Sequence, residues 1–199
     1  MTKSGDFEIH PLTVFYHEAG HAVMMLALGR HGVAISIVGR ERGQTAQELT
    51  AEHIALHQAG DRRTLIADLL VAAAGLGAEF QFVMATGGTS DGNIVPSHTD
   101  NEKIFELLKR LDARDLVTAH LVISHVAGLI LQNRWEHVES IVRYCQTNST
   151  LSAVDMTALT GQVTLLSECE FELAAGVLLL PATWLTDFER PPSNCENTK

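Results

Sequence analysis

The sequence predicts a mainly helical fold with one small β element directly after the first helix. Apolar residues recur at helical spacing along most of the chain, Gly and Pro stand where helices should stop, and strand-like alternation is confined to a short stretch near residue 35. The 199 residues suffice for one compact core, and 46% hydrophobic with 19% charged residues is the balance of a folding chain.

Residues 14–28 run without a breaker except Gly20 until Gly29 and Gly32 stop them. Phe15, Ala19, Ala22 and Leu26 form one stripe, and Val14, Met24, Met25 and Leu28 make the opposite side apolar too, so this helix is expected to be buried nearly all round. Residues 33–38 read as a short strand or the first arm of a hairpin, with a turn over 39–43. Residues 45–58 return to helical composition, and 64–84 form a second apolar helix before the polar loop at 86–93. Thr99 and Glu102 make a capping-box pattern opening a helix through Leu111. A helical stretch over 116–145 should break near Asn133, 151–159 is a short helix, and Pro181 stops a last helix over 163–180. The expected division is an N-terminal extension at 1–12, the principal domain at 13–162, a helical extension at 163–185 and a polar tail at 186–199.

A formal net charge of −10 without a cluster of Lys and Arg repels a phosphate backbone, which argues against a nucleic-acid partner. Cys145, Cys169 and Cys195 are odd in number and widely spaced, fitting neither a disulfide framework nor a Cys-based zinc site. The first residues lack the apolar core of a signal peptide, and the longest apolar runs, at 69–78 and 173–181, are too short to cross a bilayer. A cytoplasmic protein without a membrane span is expected.

The chemistry concentrates at His17-Glu18-Ala19-Gly20-His21. Residues four apart share a helix face, so His17 and His21 can direct two imidazole nitrogens at one Zn²⁺ with Glu18 beside them. Zinc lowers the pKa of a bound water, and an adjacent carboxylate can take its proton as the oxygen attacks a peptide carbonyl; Glu18 is the expected general base. Three polar side chains on an otherwise apolar helix need such a partner. A catalytic zinc needs a third protein ligand and one open position. Met24 and Ala27 stand where a metzincin would need Gly and His, so the ligand must come from elsewhere in the chain. Asp100 shares a stripe with Ile104, Leu107 and Leu111, which turns it inward; Glu79 shares one with Leu65, Leu69, Ala72, Leu76 and Val83. Glu79 can be either a ligand or the group orienting a ligating histidine, and Asp91 and His98 are weaker ligand candidates. His53 and His57 offer a second pair four apart, although Glu48, Glu52 and Gln58 mark that face as solvated. His120, His125 and His137 read as core-edge or surface residues.

The string Tyr16-His17-Glu18-Ala19-Gly20-His21-Ala22 closely resembles the peptidase domain of FtsH-type ATP-dependent zinc proteases. Residues 35–38 resemble that family's short β element, Gly75-Leu76-Gly77-Ala78-Glu79 resembles its Gly-x-Ala-Ala-Glu segment, and 130–135 and 150–152 are similar to its later helices and Thr-Leu segment. The resemblance implies a zinc metalloendopeptidase domain over 13–162, a third ligand at Asp100, peptide or unfolded-protein substrates, and ring-like homo-oligomers. Gly77 departs from the family's usual Ala, and no ATPase module precedes the motif within these residues, so a separate ATPase partner is one expectation. Leu178, Leu179, Leu180 and Trp184 are an expected apolar surface for self-association. The rival expectation is a non-catalytic zinc module of the same fold, against which Glu18 argues, because a structural zinc needs no general base.

Overall fold

The computed structural model describes residues 12–38, 42–86 and 98–180, and it is mainly helical with one small antiparallel sheet. The first helix, α1, spans Thr13–Ala27 and is buried on nearly every face, as its two apolar sides require. Gly29 ends it in the left-handed region at φ +72°, and the Arg30 N–H donates back to the Met25 carbonyl at 3.0 Å. The chain then returns as β1, Ala34–Val38, paired antiparallel with β2, Arg42–Ala46. Ile35 stands opposite Thr45, and Ile37 opposite Gly43. A two-residue β3, Thr150–Leu151, joins the other edge of β1, so the strand order is β2-β1-β3.

The expected helix at 45–58 is corrected at its start. Thr45 and Ala46 pair with β1, and α2, Ala51–Ala59, begins only where the Thr50 hydroxyl accepts from the His53 N–H. Strand pairing outweighs local helical composition here.

At the centre lies α3, Arg62–Ala85, capped by the Asp61 carboxylate on the Thr64 N–H. Its length and apolarity would suffice to cross a membrane, but most of it is buried inside the protein, against α1, α4 and α5. Small residues let these helices approach. A Cβ on Gly20 would lie 2.5 Å from the Ala74 carbonyl oxygen, and one on Gly77 would lie 2.7 Å from both the Gly128 nitrogen and the Ser124 carbonyl oxygen. Helix α4 spans His98–Arg110, with Thr99 and Asp100 in its first turn. Residues 116–145 form α5, Leu116–Gln132, and α6, Trp135–Cys145, set 91° apart at the expected break.

Arg134 fills that corner. Its buried guanidinium donates to the carbonyls of Ile130, Thr164 and Leu165 and to both oxygens of Glu170. This hydrogen bonding from Arg134 holds the Glu170 carboxyl down at about 2. It also explains why the expected helix over 163–180 is shorter. Residues 163–167 stay non-helical and present two of those carbonyls, and a capping box of Ser167 and Glu170 opens α8, Glu168–Val177. Between these elements, Leu151 belongs to β3, and Ser152 caps α7, Ala153–Thr160. Trp184 and the tail at 186–199 lie outside the described residues.

Candidate metal centre

His17 and His21 lie one turn apart on α1 and face α3, where Gly75 leaves room for them. A Cβ at Gly75 would sit 2.6 Å from His17 Cε1 and His21 Nε2 and 2.7 Å from His17 Nε2. Each ring is held from behind. His17 Nδ1 donates to Glu79 Oε1 at 2.6 Å, and His21 Nδ1 donates to the Val71 carbonyl at 2.7 Å. A carbonyl only accepts, so Nδ1 of His21 carries the hydrogen; the Glu79 carboxylate imposes the same tautomer on His17. The neutral rings therefore turn bare Nε2 lone pairs toward each other, 3.0 Å apart.

Asp100, in the first turn of α4, completes the convergence. Its Oδ2 lies 2.9 Å from His17 Nε2 and 3.4 Å from His21 Nε2. Three acceptor atoms at such distances repel one another unless a proton or a metal cation lies between them. Bonds of about 2.0–2.1 Å to a tetrahedral zinc would separate its ligand atoms by roughly 3.3 Å, close to the observed triangle. His17, His21 and Asp100 thus form a group that can hold a metal ion.

Without a metal, protons take over that task. Burial pulls the His17 imidazole down, but hydrogen bonds to Asp100 and Glu79 outweigh it and leave it raised to about 10. Burial likewise pushes Asp100 up, while the two imidazoles hold it far below the usual carboxylate range. The side chains of His17, His21 and Glu79 are nearly enclosed, whereas that of Asp100 is 26% exposed, so the centre opens to solvent on the α4 side.

Glu18 is buried on another face of α1, against β2. The Thr45 hydroxyl donates to Glu18 Oε2 at 2.6 Å and also lies 3.1 Å from the Glu18 carbonyl oxygen. Tyr16 stacks between Phe82 and Trp135, with ring centroids 4.1 Å and 5.6 Å away, and so fastens this end of α1 to α3 and α6.

Among the ligand candidates read from the sequence, the structure unites His17, His21 and Asp100 and puts Glu79 behind His17. Asp91 and the side chain of His98 lie outside the described residues. His120 donates from Nε2 to Asn101 and stacks on Phe105, and His125 meets the edge of Phe80; neither they nor His137 joins a metal-binding group among the described residues.

Glu48, Glu52 and Gln58 are exposed as expected, but the rings of His53 and His57 are only partly so. Both rings fold against the buried Asp68, with His53 Nε2 3.2 Å from Oδ1 and His57 Nδ1 donating to Oδ2 at 2.5 Å. By distance this trio too can hold a metal ion. Its positions are already taken by cations: Arg30 donates to Asp68 Oδ1 at 2.6 Å, and Arg110 donates to His57 Nε2 at 2.6 Å. Two guanidiniums compensate the carboxylate and would repel a divalent ion, so the cluster is a polar clamp joining α2, α3, α4 and the segment after α1.

Thr45, Gly43 and Asp68 belong to no chemical motif in the sequence, and Gly43, expected in a turn over 39–43, belongs instead to β2. The alternation of exposed Arg42, Gln44 and Ala46 with half-buried Gly43 and Thr45 arises only from the pairing of β2 with β1. A scan against protein-family models found none that matches this chain, and a search of curated proteins found no match.

Proposed function

We propose that this chain is a zinc-dependent metalloendopeptidase domain, related to the FtsH-type peptidases, that acts on peptides or unfolded protein. The observation that carries the reading is the convergence of His17 Nε2, His21 Nε2 and Asp100 Oδ2, three atoms that need a proton or a metal cation between them, one residue from the buried Glu18. Three protein ligands leave a fourth position free, the arrangement of a catalytic zinc and not of a structural one. Bound zinc supplies Lewis acidity, polarising a scissile carbonyl and acidifying water.

The chain's own residues do the rest. Glu79 and the Val71 carbonyl fix the tautomer and angle of the ligating rings, and Glu18 takes a proton from the attacking water and returns it to the leaving amine. Substrate enters on the partly exposed Asp100 side. A homo-oligomer, a separate ATPase delivering folded substrates, and a cytoplasmic location belong to the same proposal. The test is cleavage of a broad peptide library by the purified chain, with zinc, with chelator, and with or without ATP. Cleavage that needs zinc and ignores ATP is expected; no cleavage of any library member by the zinc-loaded protein would refute the peptidase reading.

Zinc binding should also release a proton. The metal needs the bare Nε2 of His17, and that group stays protonated up to about 10 in the metal-free protein, so at neutral pH the ion must displace a proton. Affinity then rises as pH rises, about tenfold per unit from roughly pH 7 to 9, and levels off near the His17 value. Calorimetry in buffers of different ionisation enthalpy reads this as about one proton released per zinc at pH 7. A value near zero would remove His17 from the ligand set.

A further inference from the structure

We propose that β2 is a cradle for the general base, with Thr45 as the positioning residue that fixes the Glu18 carboxylate. This rests on the peptidase reading above. Two separate features of β2 support it. The first is chemical: the Thr45 hydroxyl has one hydrogen, and its shortest contact, 2.6 Å, is with Glu18 Oε2. One carboxylate oxygen is thereby engaged and the rotation of the group is restrained.

The second is steric. A Cβ on Gly43 would lie 2.3 Å from Glu18 Cγ and 2.6 Å from Oε1, closer than real atoms approach. The carboxylate can occupy its place only because position 43 carries no side chain. Gly43 and Thr45 are two apart on one strand, opposite Ile37 and Ile35, both of which are buried, so all four turn toward α1. Arg42, Gln44 and Ala46 face away and are exposed. A strand without a buried residue of its own thus presents to α1 one hydroxyl and one gap, both matched to a single carboxylate.

The proton balance follows. As the water oxygen bonds the scissile carbonyl carbon, its O–H electron pair stays on oxygen and the proton passes to the Glu18 carboxylate; Glu18 gives that proton to the amine nitrogen as the C–N bond breaks. Thr45 keeps its own hydrogen throughout.

The experiment compares Thr45→Val, which keeps the shape and removes the donor, with Thr45→Ser, which keeps the donor, in crystal structures and in kinetics of the zinc-loaded enzyme. In Thr45→Val the Glu18 carboxylate should leave its place, kcat should fall about 10–100-fold, and KM and zinc content should hold, as expected for a misplaced catalytic group. Thr45→Ser should restore both carboxylate position and kcat. Gly43→Ala should displace Glu18 by bulk alone, lowering kcat with zinc retained. A carboxylate that stays in place in Thr45→Val, or a kcat within about twofold of wild type, overturns the proposal. The crystallographic readout needs no turnover, so it decides the positioning role even if the wild type cleaves no peptide, which would refute the peptidase reading alone.

Discussion

A Glu18→Gln variant is expected to lose hydrolysis by about 10²–10⁴-fold, the usual contribution of general base catalysis, while retaining its zinc. Under the proposed mechanism the substitution removes the proton acceptor and little else. Glutamine has nearly the same shape, its amide oxygen can still accept from Thr45, and neither imidazole nor Asp100 is altered. Steady-state cleavage of a peptide substrate, with zinc measured on the same sample, checks this. Activity within about tenfold of wild type would show that another group takes the proton.

Gly75→Ala is expected to cost most of the metal affinity. In an unconstrained helix the change would be favourable by about 1 kcal/mol, since Ala is the better helix former. At this position the added Cβ would fall 2.6–2.7 Å from His17 Cε1, His17 Nε2 and His21 Nε2. Those rings cannot yield cheaply, because Glu79 and the Val71 carbonyl hold them from behind and α1 is packed close to α3 through Gly20. Sterics at the ligand atoms therefore outweigh helix propensity, and zinc affinity should fall by about 100-fold or more, read by competition with a chelator of known affinity. Gly176→Ala is the matched control: it lies in α8 with no atom within 4 Å of the new Cβ, and it should leave zinc binding unchanged.

The parts of this centre that could be read from the sequence are those governed by helical periodicity. The spacing of His17 and His21 fixes their common face, and the stripe of Ile104, Leu107 and Leu111 turns Asp100 inward before any tertiary contact is known. Glu79 was legible as an acid on a buried stripe, but its choice between ligand and orienting group depends on which histidine nitrogen it meets. Thr45 was not legible, because its place depends on the pairing of β2 with β1, and local composition there favoured helix. The clamp at Asp68 was hidden for a similar reason. Its partners Arg30, His57 and Arg110 come from three separate segments, and only the packed helices bring them together. The resemblance supplied Gly75 as part of a string, whereas the reason for a glycine there appears only once α1 and α3 are superposed on the ligand atoms.

Zinc content after dialysis against a weak chelator, compared between the wild type and Asp100→Ala with circular dichroism confirming that both are folded, tests the central claim most directly. Asp100 supplies the one ligand atom that α1 does not, so its removal leaves two imidazoles from a single helix turn. The account predicts about one zinc per chain for the wild type and loss of most of it in Asp100→Ala, while Glu79→Gln, which keeps a hydrogen-bonding group behind His17, weakens binding by only about 10–100-fold. A wild type that retains no zinc, or an Asp100→Ala protein that holds it as tightly as the wild type, would contradict the assignment of His17, His21 and Asp100 as the metal centre.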